Sequence, residues 1–301
     1  MKILIHGNVK LQYSWFVLTF QQGFRLLGHD VYGIDFRSTP LDDAKKQILS
    51  INPDIIFTHL SFHPIYPSDK ILQFYKDIKN HINTTVIHVL ADARHEPRYN
   101  KSIKGSFDMA LVSQTENLEK FKNYWKVPTF FCPYSSLTYE KMGNFDSSLA
   151  FNDAVFTGSP NTHPDRSEFI KKLNKIMKIK VFKTQSKDDL RHKTLDLSAS
   201  AKCILGLCTG YDIKHYIDVR PFQYLGAGAC MIIRKFKNMD DIIPNDIYYP
   251  FDSYNDPYVV KNIFDNIGDA SKIKQKAFNY MQQNHSSVVR MKEILNYIKE
   301  L

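Results

Sequence analysis

Short runs of apolar residues alternate along the chain with stretches in which apolar residues recur every three or four positions. The runs in the first third are KILIH, DVYGIDF, DIIFTHL and TVIHVLADA. They are apolar at nearly every position, which is typical of strands buried on both faces. The stretches between them predict helices over 14–27, 41–51 and 69–80. Strands joined by helices indicate a parallel sheet covered on both sides, so we predict a Rossmann-like fold for this half.

The alternation stops at a polar, Ser- and Asn-rich stretch and then restarts with AVFTGS. We therefore predict a Rossmann-like domain over 1–135, a linker over 136–153, a second such domain over 154–285 and a terminal helical segment over 286–301. Two α/β domains of this kind are expected to form a cleft, with ligands at the carboxyl ends of the strands.

Composition is that of an ordinary globular protein, with 301 residues, 43% hydrophobic and 24% charged. No apolar run approaches the roughly 20 residues that cross a bilayer. Because the first strand pattern begins at Lys2, we expect no signal peptide and a cytoplasmic protein. The four cysteines lie in apolar, strand-like contexts without CxxC spacing, so we interpret them as reduced core residues.

The formal net charge is +9, and the basic residues are clustered. One cluster runs from Lys171 to Lys193, and a second consists of Arg94, Arg98, Lys101 and Lys104. Such clusters suit a phosphate-rich partner or an anionic membrane surface, and they equally suit a solvated, lysine-rich surface. Charge alone does not separate these alternatives.

A dinucleotide fingerprint is excluded. The segment GAGACM resembles the start of GxGxxG, but Met231 stands where the third glycine is required. The glycines also follow a helix and precede a strand, which reverses the necessary order. An NAD-dependent enzyme is therefore not indicated.

The most informative segment is IDVRPFQYLGAGAC, residues 217–230. Asp218 or a neighbour is predicted to begin a helix, because Pro221 suits a first turn and Gly226 to Gly228 suit its end. The helix N-terminus would present free N–H groups beside Arg220, a bidentate donor, which is the chemistry that binds a diphosphate. Gln223, one turn later, would reach a ribose hydroxyl.

The pattern D-x-R-x-F-[E/Q]-x-L-x-x-G resembles the donor-binding segment of GT-B glycosyltransferases, in particular the bacterial and phage group with a spore-maturation-type C-terminal domain. FTGS followed by Arg166, the stretch MDDIIPNDIYYPFDS, and NHSSVVRMKEIL agree with that group in the same order. The resemblance implies two Rossmann-like domains facing a central cleft. It also implies a C-terminal helix that packs back on the N-terminal, acceptor-binding domain.

The same resemblance implies a metal-independent enzyme without a cofactor, with a nucleotide sugar as co-substrate. In the family, the position of Gln223 is usually a glutamate that binds ribose, and the position of His215 is often another glutamate. These departures put a retaining, two-glutamate mechanism in doubt, because an amide lacks the charge of a carboxylate. The diphosphate prediction is unaffected, with Arg220 and Arg166 as the positive charges.

Candidate residues for the acceptor half follow the strand TVIHVL. We predict Asp92 as the general base that deprotonates an acceptor hydroxyl, with His95 as the second choice. An ion pair or helix cap is the structural alternative for Asp92. Gly7 and Asn8, on the first strand–helix turn, are predicted to contact the donor.

Among the remaining candidates, Tyr211 is predicted to stack on the nucleobase or to pack in the core. His6 and His88, together with His59 and His63, are interpreted as core or strand-end histidines.

The leading hypothesis is a hexosyl- or pentosyltransferase that uses a nucleotide sugar. A sugar-nucleotide epimerase of the same fold and a non-catalytic binding protein are the alternatives. The acceptor could be a hydroxymethylated base in duplex DNA, for which Arg94, Arg98, Lys101 and Lys104 would contact the phosphates. A cell-envelope glycan or a lipid carrier would suit the same charges. The sequence leaves the sugar and the oligomeric state open.

Overall fold

The computed structural model describes residues 1–7, 9, 15–58, 68–90, 102–149, 154–158, 163–182, 190–208 and 210–301. At 68 and 190–193 it describes the backbone alone. The chain divides into two compact units. Unit 1 comprises Met1–Tyr134 together with Ser287–Leu301, and unit 2 comprises Ser135–Ser286.

Unit 1 is a six-stranded parallel sheet with helices on both faces, as the sequence predicts. The strands lie in the order β2-β1-β3-β4-β5-β6, which places β1 and β3 side by side. The strands are β1 Lys2–Gly7, β2 Asp30–Asp35, β3 Ile55–Thr58, β4 Thr85–Leu90, β5 Met109–Val112 and β6 Thr129–Phe131. The helices are α1 Trp15–Leu26, α2 Leu41–Ile51, α3 Ser68–Lys79, α4 Leu118–Trp125 and α10 Ser287–Lys299.

Two apolar clusters cover the sheet of unit 1. One is formed with α2, α3 and α4, and the other with α1 and α10. Gly23 of α1 is necessary for this second layer, because a Cβ there would lie 2.5 Å from Met291 Cγ and 2.5 Å from the Ser287 carbonyl oxygen. The terminal helix is thus closely packed on the helix that follows the first strand, in agreement with the prediction that it returns to the N-terminal half.

Unit 2 is a five-stranded parallel sheet in the order β11-β10-β9-β7-β8. The strands are β7 Ala154–Thr157, β8 Ile179–Phe182, β9 Cys203–Gly206, β10 Met231–Arg234 and β11 Tyr249–Phe251. The helices are α5 Pro164–Leu173, α6 Leu190–Ser200, α7 Val219–Gly226, α8 Pro257–Asn266 and α9 Ser271–His285. One apolar cluster joins α5 and α8 to the sheet, while α7 contacts β9 and β10 and packs against α6 and α9.

The stretch predicted as a linker over 136–153 is part of unit 2 as far as it is described. Leu137 and Tyr139 are buried in that unit. Gln282 of α9 donates to the Leu137 carbonyl oxygen at 3.0 Å and to the Gly226 carbonyl oxygen at 2.8 Å. Although the composition of this stretch is polar, a few buried side chains and hydrogen bonds to its backbone hold it in unit 2.

None of the helices in the described part of the chain is long and apolar enough to cross a membrane.

Candidate functional site

The two neighbouring strands β7 and β9 mark the point in unit 2 where the strand order reverses. β7 connects to β8 on one side, and β9 begins the series that runs to β11 on the other. Ligands of such sheets bind outside the carboxyl ends of the strands at this point. The residues there are Thr157, the last residue of β7, Gly158 after it, and Leu207 and Cys208 after β9. The helix α7 brings Arg220 to the same place.

Arg220 is anchored at the end of β7. Its Nε donates to the carbonyl oxygen of Thr157 at 3.1 Å, and its Nη1 donates to Oδ2 of Asp218 at 2.8 Å. Gly158 adopts a φ of +113°, and a Cβ on it would lie 2.8 Å from Arg220 Nη2. Only glycine allows both this backbone conformation and the close approach of the guanidinium group.

Asp218 has two structural contacts. It is the N-cap of α7, where its Oδ1 accepts from the Val219 N–H at 2.6 Å, and it forms the ion pair with Arg220. The helix start predicted at Asp218 is confirmed. However, a capping carboxylate now lies where the sequence predicted free N–H groups. The positive charge available to a ligand therefore depends on the arginines rather than on the helix terminus.

Arg166 provides a second positive charge beside the first. It lies on α5, is 3% exposed, and its Nη1 donates to the Leu207 carbonyl oxygen at 3.4 Å. Burial and the like charge of Arg220 lower the pKa of Arg166. Burial also lowers the pKa of Arg220, but the carboxylate of Asp218 and the Cys208 thiol outweigh it, and the net shift of this pKa is upward.

The guanidinium groups of Arg220 and Arg166 and the carboxylate of Asp218 meet here, and guanidinium groups stay protonated in proteins. Burial raises the pKa of the neighbouring Cys208 thiol well above the ordinary value, with the Asp218 carboxylate adding to the effect, which disfavours the reactive thiolate. Among the described residues there is no group of three or more His, Cys, Asp or Glu side chains that could hold a metal ion.

Gln223 lies one turn further along α7 and is 7% exposed. Its Nε2 donates to Oγ1 of Thr194 on α6 at 3.0 Å. One of the two amide hydrogens of Gln223 is therefore already donated to a side chain of unit 2. The contact with a ribose stays a prediction.

Two other candidates of unit 2 have partners at the carboxyl end of the sheet. Tyr211 lies against Arg234, whose guanidinium carbon is 3.0 Å from the centre of the tyrosine ring. His215, with a φ of 58°, shares a hydrogen bond of 2.9 Å between its Nε2 and Oδ2 of Asp241. Sequence reasoning did not identify Arg234, since a single arginine at a strand end has no motif around it.

Most candidates of unit 1 lie outside the described residues, namely Asn8, Asp92, Arg94, His95, Arg98 and Lys101. Gly7 is buried at the end of β1, and Lys104 is exposed with its backbone N–H donating to Ser102 Oγ at 3.2 Å. The predicted roles of these residues therefore stay predictions.

Buried polar side chains cross the sheet of unit 1 on one face. His6 of β1 pairs in register with Thr58 of β3, which pairs with His88 of β4. All three are 2% exposed or less, so the interpretation of His6 and His88 as core histidines is confirmed. His6 Nδ1 is 2.7 Å from the hydroxyl of Tyr75 on α3. Burial lowers the pKa of His6 to about 4, although Asp35 opposes the shift.

Comparison with solved structures identifies the fold of this chain, whereas comparison by sequence finds no relative. No protein-family model matches the chain, and no curated protein matches it. Sucrose-phosphate synthase from Thermosynechococcus elongatus superposes with a TM-score of 0.66 at 9% identity, covering 100% of this chain and 99% of the other. HepE from Anabaena, in complex with UDP and glucose, gives a TM-score of 0.65 at 11% identity with both chains fully covered.

A glycosyltransferase from Rickettsia africae has a TM-score of 0.62 at 12% identity, covering 99% of this chain and 98% of the other. These matches extend over whole chains, and the neighbours are glycosyltransferases of one fold. The chain has the GT-B glycosyltransferase fold. In this GT-B chain, the paired arginines lie at the strand-order reversal of unit 2, and their contact with a donor stays a prediction. At identities near 10%, the roles of individual residues in these proteins cannot be assigned to positions of this chain. The candidate site is therefore inferred from the geometry of this chain alone.

Proposed function

We propose that this protein is a glycosyltransferase that moves a sugar from a nucleotide-sugar donor to a hydroxyl acceptor. The observation that supports this most is the pairing of Arg220 and Arg166 at the carboxyl ends of β7 and β9. HepE, which shares the fold, was solved with UDP-glucose and with UDP and glucose. In this chain, the diphosphate of the donor would lie against the two guanidinium groups.

The chemistry needs no protein-bound metal in this proposal. As the sugar leaves, negative charge develops on the diphosphate, and fixed cations in a partly buried site stabilise it. Arg220 and Arg166 supply that charge. Removal of divalent ions with a chelator is expected to leave transfer unchanged. We propose Asp92 as the base that takes the proton of the acceptor hydroxyl, with His95 as the alternative.

The test is a binding screen of nucleoside diphosphates and nucleotide sugars by thermal shift, followed by calorimetry on the ligands that stabilise the protein. Arg220→Ala is expected to weaken the best ligand at least about tenfold, because a charge-assisted contact to the diphosphate is lost. Lys178→Ala removes an exposed positive charge of unit 2 away from this end of the sheet and serves as the control. Equal affinity of the two variants would place the diphosphate elsewhere.

Transfer separates the enzyme from a binding protein. With the donor known, Asp92→Asn is expected to retain donor affinity and to lose turnover, while Arg220→Ala loses both. Near wild-type turnover of Asp92→Asn would move the base to another residue, His95 being the next to test. Donor binding without transfer or hydrolysis in the unmodified protein would favour the non-catalytic alternative.

For the acceptor, we propose duplex DNA that carries a hydroxymethylated base, and a cytoplasmic location follows from it. The support is the basic cluster after Asp92 and the net charge of +9. Duplex DNA is expected to bind with an affinity that falls steeply between about 50 and 200 mM salt. The measurement is fluorescence anisotropy of a labelled duplex. Salt-independent or undetectable binding would favour a glycan or lipid-carrier acceptor instead.

A further inference from the structure

A separate pocket opens at the carboxyl ends of β10 and β11, next to α5. It has a volume of about 230 Å³ and is lined mainly by polar side chains. Arg234, the last residue of β10, forms part of its wall together with Tyr211 and Tyr254. The rest of the lining comes from α5 and from the segment after β11, namely Asp165, Glu168, Phe169 and Lys172, and Ser253 and Asn255.

Arg234 packs against two aromatic rings. Its guanidinium carbon is 3.0 Å from the ring centre of Tyr211 and 4.2 Å from that of Tyr254, and the two rings are nearly perpendicular, with an angle of 83° between their planes. Tyr254 is itself fixed, because its hydroxyl donates to the Cys208 carbonyl oxygen at 2.7 Å. A ligand would contact the guanidinium group at its edge, where the N–H donors lie.

The charge of Arg234 is buried without a carboxylate. The residue is 8% exposed, and across the described part of the chain it has no ion-pair partner and its Nε has no hydrogen-bond acceptor. A buried cation without an anion is unfavourable, and a buried donor without an acceptor adds to that cost. An oxyanion that enters the pocket would relieve both, which gives this site a physical reason to bind one.

The other residues that line the pocket determine which further chemical groups a ligand can have. Glu168 is engaged by Lys172 at 2.8 Å, and this hydrogen bond is the main cause that lowers the pKa of Glu168. The carboxylates of Asp165 and Glu168 can accept hydrogen bonds from the hydroxyl groups of a ligand. The Ser253 hydroxyl can both donate and accept. The pocket thus suits a molecule with one anionic group and several hydroxyl groups.

We propose that this pocket binds a small hydroxylated oxyanion, with a phosphate or carboxylate group on the edge of Arg234 and hydroxyl groups towards Ser253 and Glu168. The pocket shares Tyr211 with the residues predicted to contact the donor, but it contains neither Arg220 nor Arg166, so its binding can be tested after Arg220 has been replaced. A sugar phosphate and a uronic acid have the required chemistry and differ in the anionic group alone.

The experiment measures binding of glucose 6-phosphate, glucuronate, inorganic phosphate and neutral glucose by titration calorimetry. It is carried out in the Arg220→Ala background, so that an anion held at Arg220 does not contribute and a failure of the donor assignment leaves the result unaffected. We expect at least one of the two sugar acids to bind at least about tenfold more tightly than glucose. Preference for the phosphate ester or for the carboxylate then identifies the anionic group.

Two variants test the residues. Arg234→Met is expected to abolish the preference for the charged sugar, whereas Lys178→Met, which removes an exposed charge outside the pocket, is expected to retain it. Ser253→Ala changes a partly exposed side chain, so this variant is expected to fold. It provides a second test of the pocket if Arg234→Met does not fold. It should weaken both sugar acids but not inorganic phosphate. Equal binding of glucose and the sugar acids, or unchanged affinity in both pocket variants, would overturn the proposal.

Discussion

At the scale of single residues, the site of unit 2 depends on how buried charges are balanced. Asp218 holds Arg220 by an ion pair of 2.8 Å and at the same time caps α7. Arg166 lies beside them and donates to the Leu207 carbonyl oxygen at 3.4 Å. Two neighbouring guanidinium groups are the physical basis for proposing that a diphosphate binds here, because each can donate charge-assisted hydrogen bonds to phosphate oxygens.

His6 provides a test of buried polarity in unit 1. Its pKa is about 4 in the folded protein against 6.5 for an ordinary histidine. The unfolded chain therefore binds more protons between these values, and stability is lost as the pH falls from 6.5 towards 4. The loss from this residue amounts to about 2 kcal/mol between pH 6.5 and 5, at about 1.4 kcal/mol per pH unit.

We expect His6→Gln to reduce this acid sensitivity, because glutamine can retain a hydrogen bond to Tyr75 and does not titrate. The measurement is the free energy of unfolding in urea at several pH values from 5 to 7.5, for both proteins. The other titratable groups are present in both proteins, so the difference between the curves reports on His6. Parallel curves would show that His6 is not buried as the structure has it.

At the scale of elements, the position of Arg220 near the start of α7 depends on Gly158, the residue that follows β7. Gly158 has a φ of +113° and leaves room for the Arg220 guanidinium group. Gly158→Ala is expected to destabilise the protein by about 1–3 kcal/mol through backbone strain and also to displace Arg220. Donor affinity should therefore fall in this variant, measured by calorimetry below the unfolding transition.

Gly105→Ala is the matched control for this substitution. Gly105 also has a positive φ, of +88°, but a Cβ there would have no atom of the described residues within 4 Å. It should produce the strain without the displacement of a binding residue. If Gly105→Ala weakened the donor as much as Gly158→Ala, the effect would come from general destabilisation rather than from Arg220.

Local signals predicted part of this architecture and tertiary packing determined the rest. The helix over 41–51 and the start of α7 after Asp218 followed from apolar spacing and from capping residues. The stacking of Arg234 could not be predicted, because Tyr211 and Tyr254 lie about 20 residues away on either side and meet it only in the folded sheet.

At the scale of the whole molecule, the two units differ in how the chain builds them. Unit 2 is continuous, while unit 1 combines Met1–Tyr134 with the terminal helix α10. Met291 and Ile294 of that helix are completely buried in the apolar cluster that also contains α1. Burial of this kind is worth roughly 2–5 kcal/mol for each large side chain when it is replaced by alanine. The terminal helix is thus a structural part of unit 1 and not an appendage.

The consequence can be tested with two fragments. Residues 1–134 alone would expose the apolar surface of α1 that α10 covers, and the loss is comparable with the total stability of about 5–15 kcal/mol of a typical domain. We expect this fragment to bind a hydrophobic dye and to unfold without a cooperative transition.

The same fragment joined to residues 287–301 by a flexible linker of about 20 residues should recover cooperative thermal unfolding, followed by circular dichroism. Ile294→Asp in the joined fragment should remove that recovery, because it places a charge in the cluster without changing the chain length. Cooperative unfolding of residues 1–134 at the same temperature as the joined fragment would instead show that α10 only covers a surface that is stable without it.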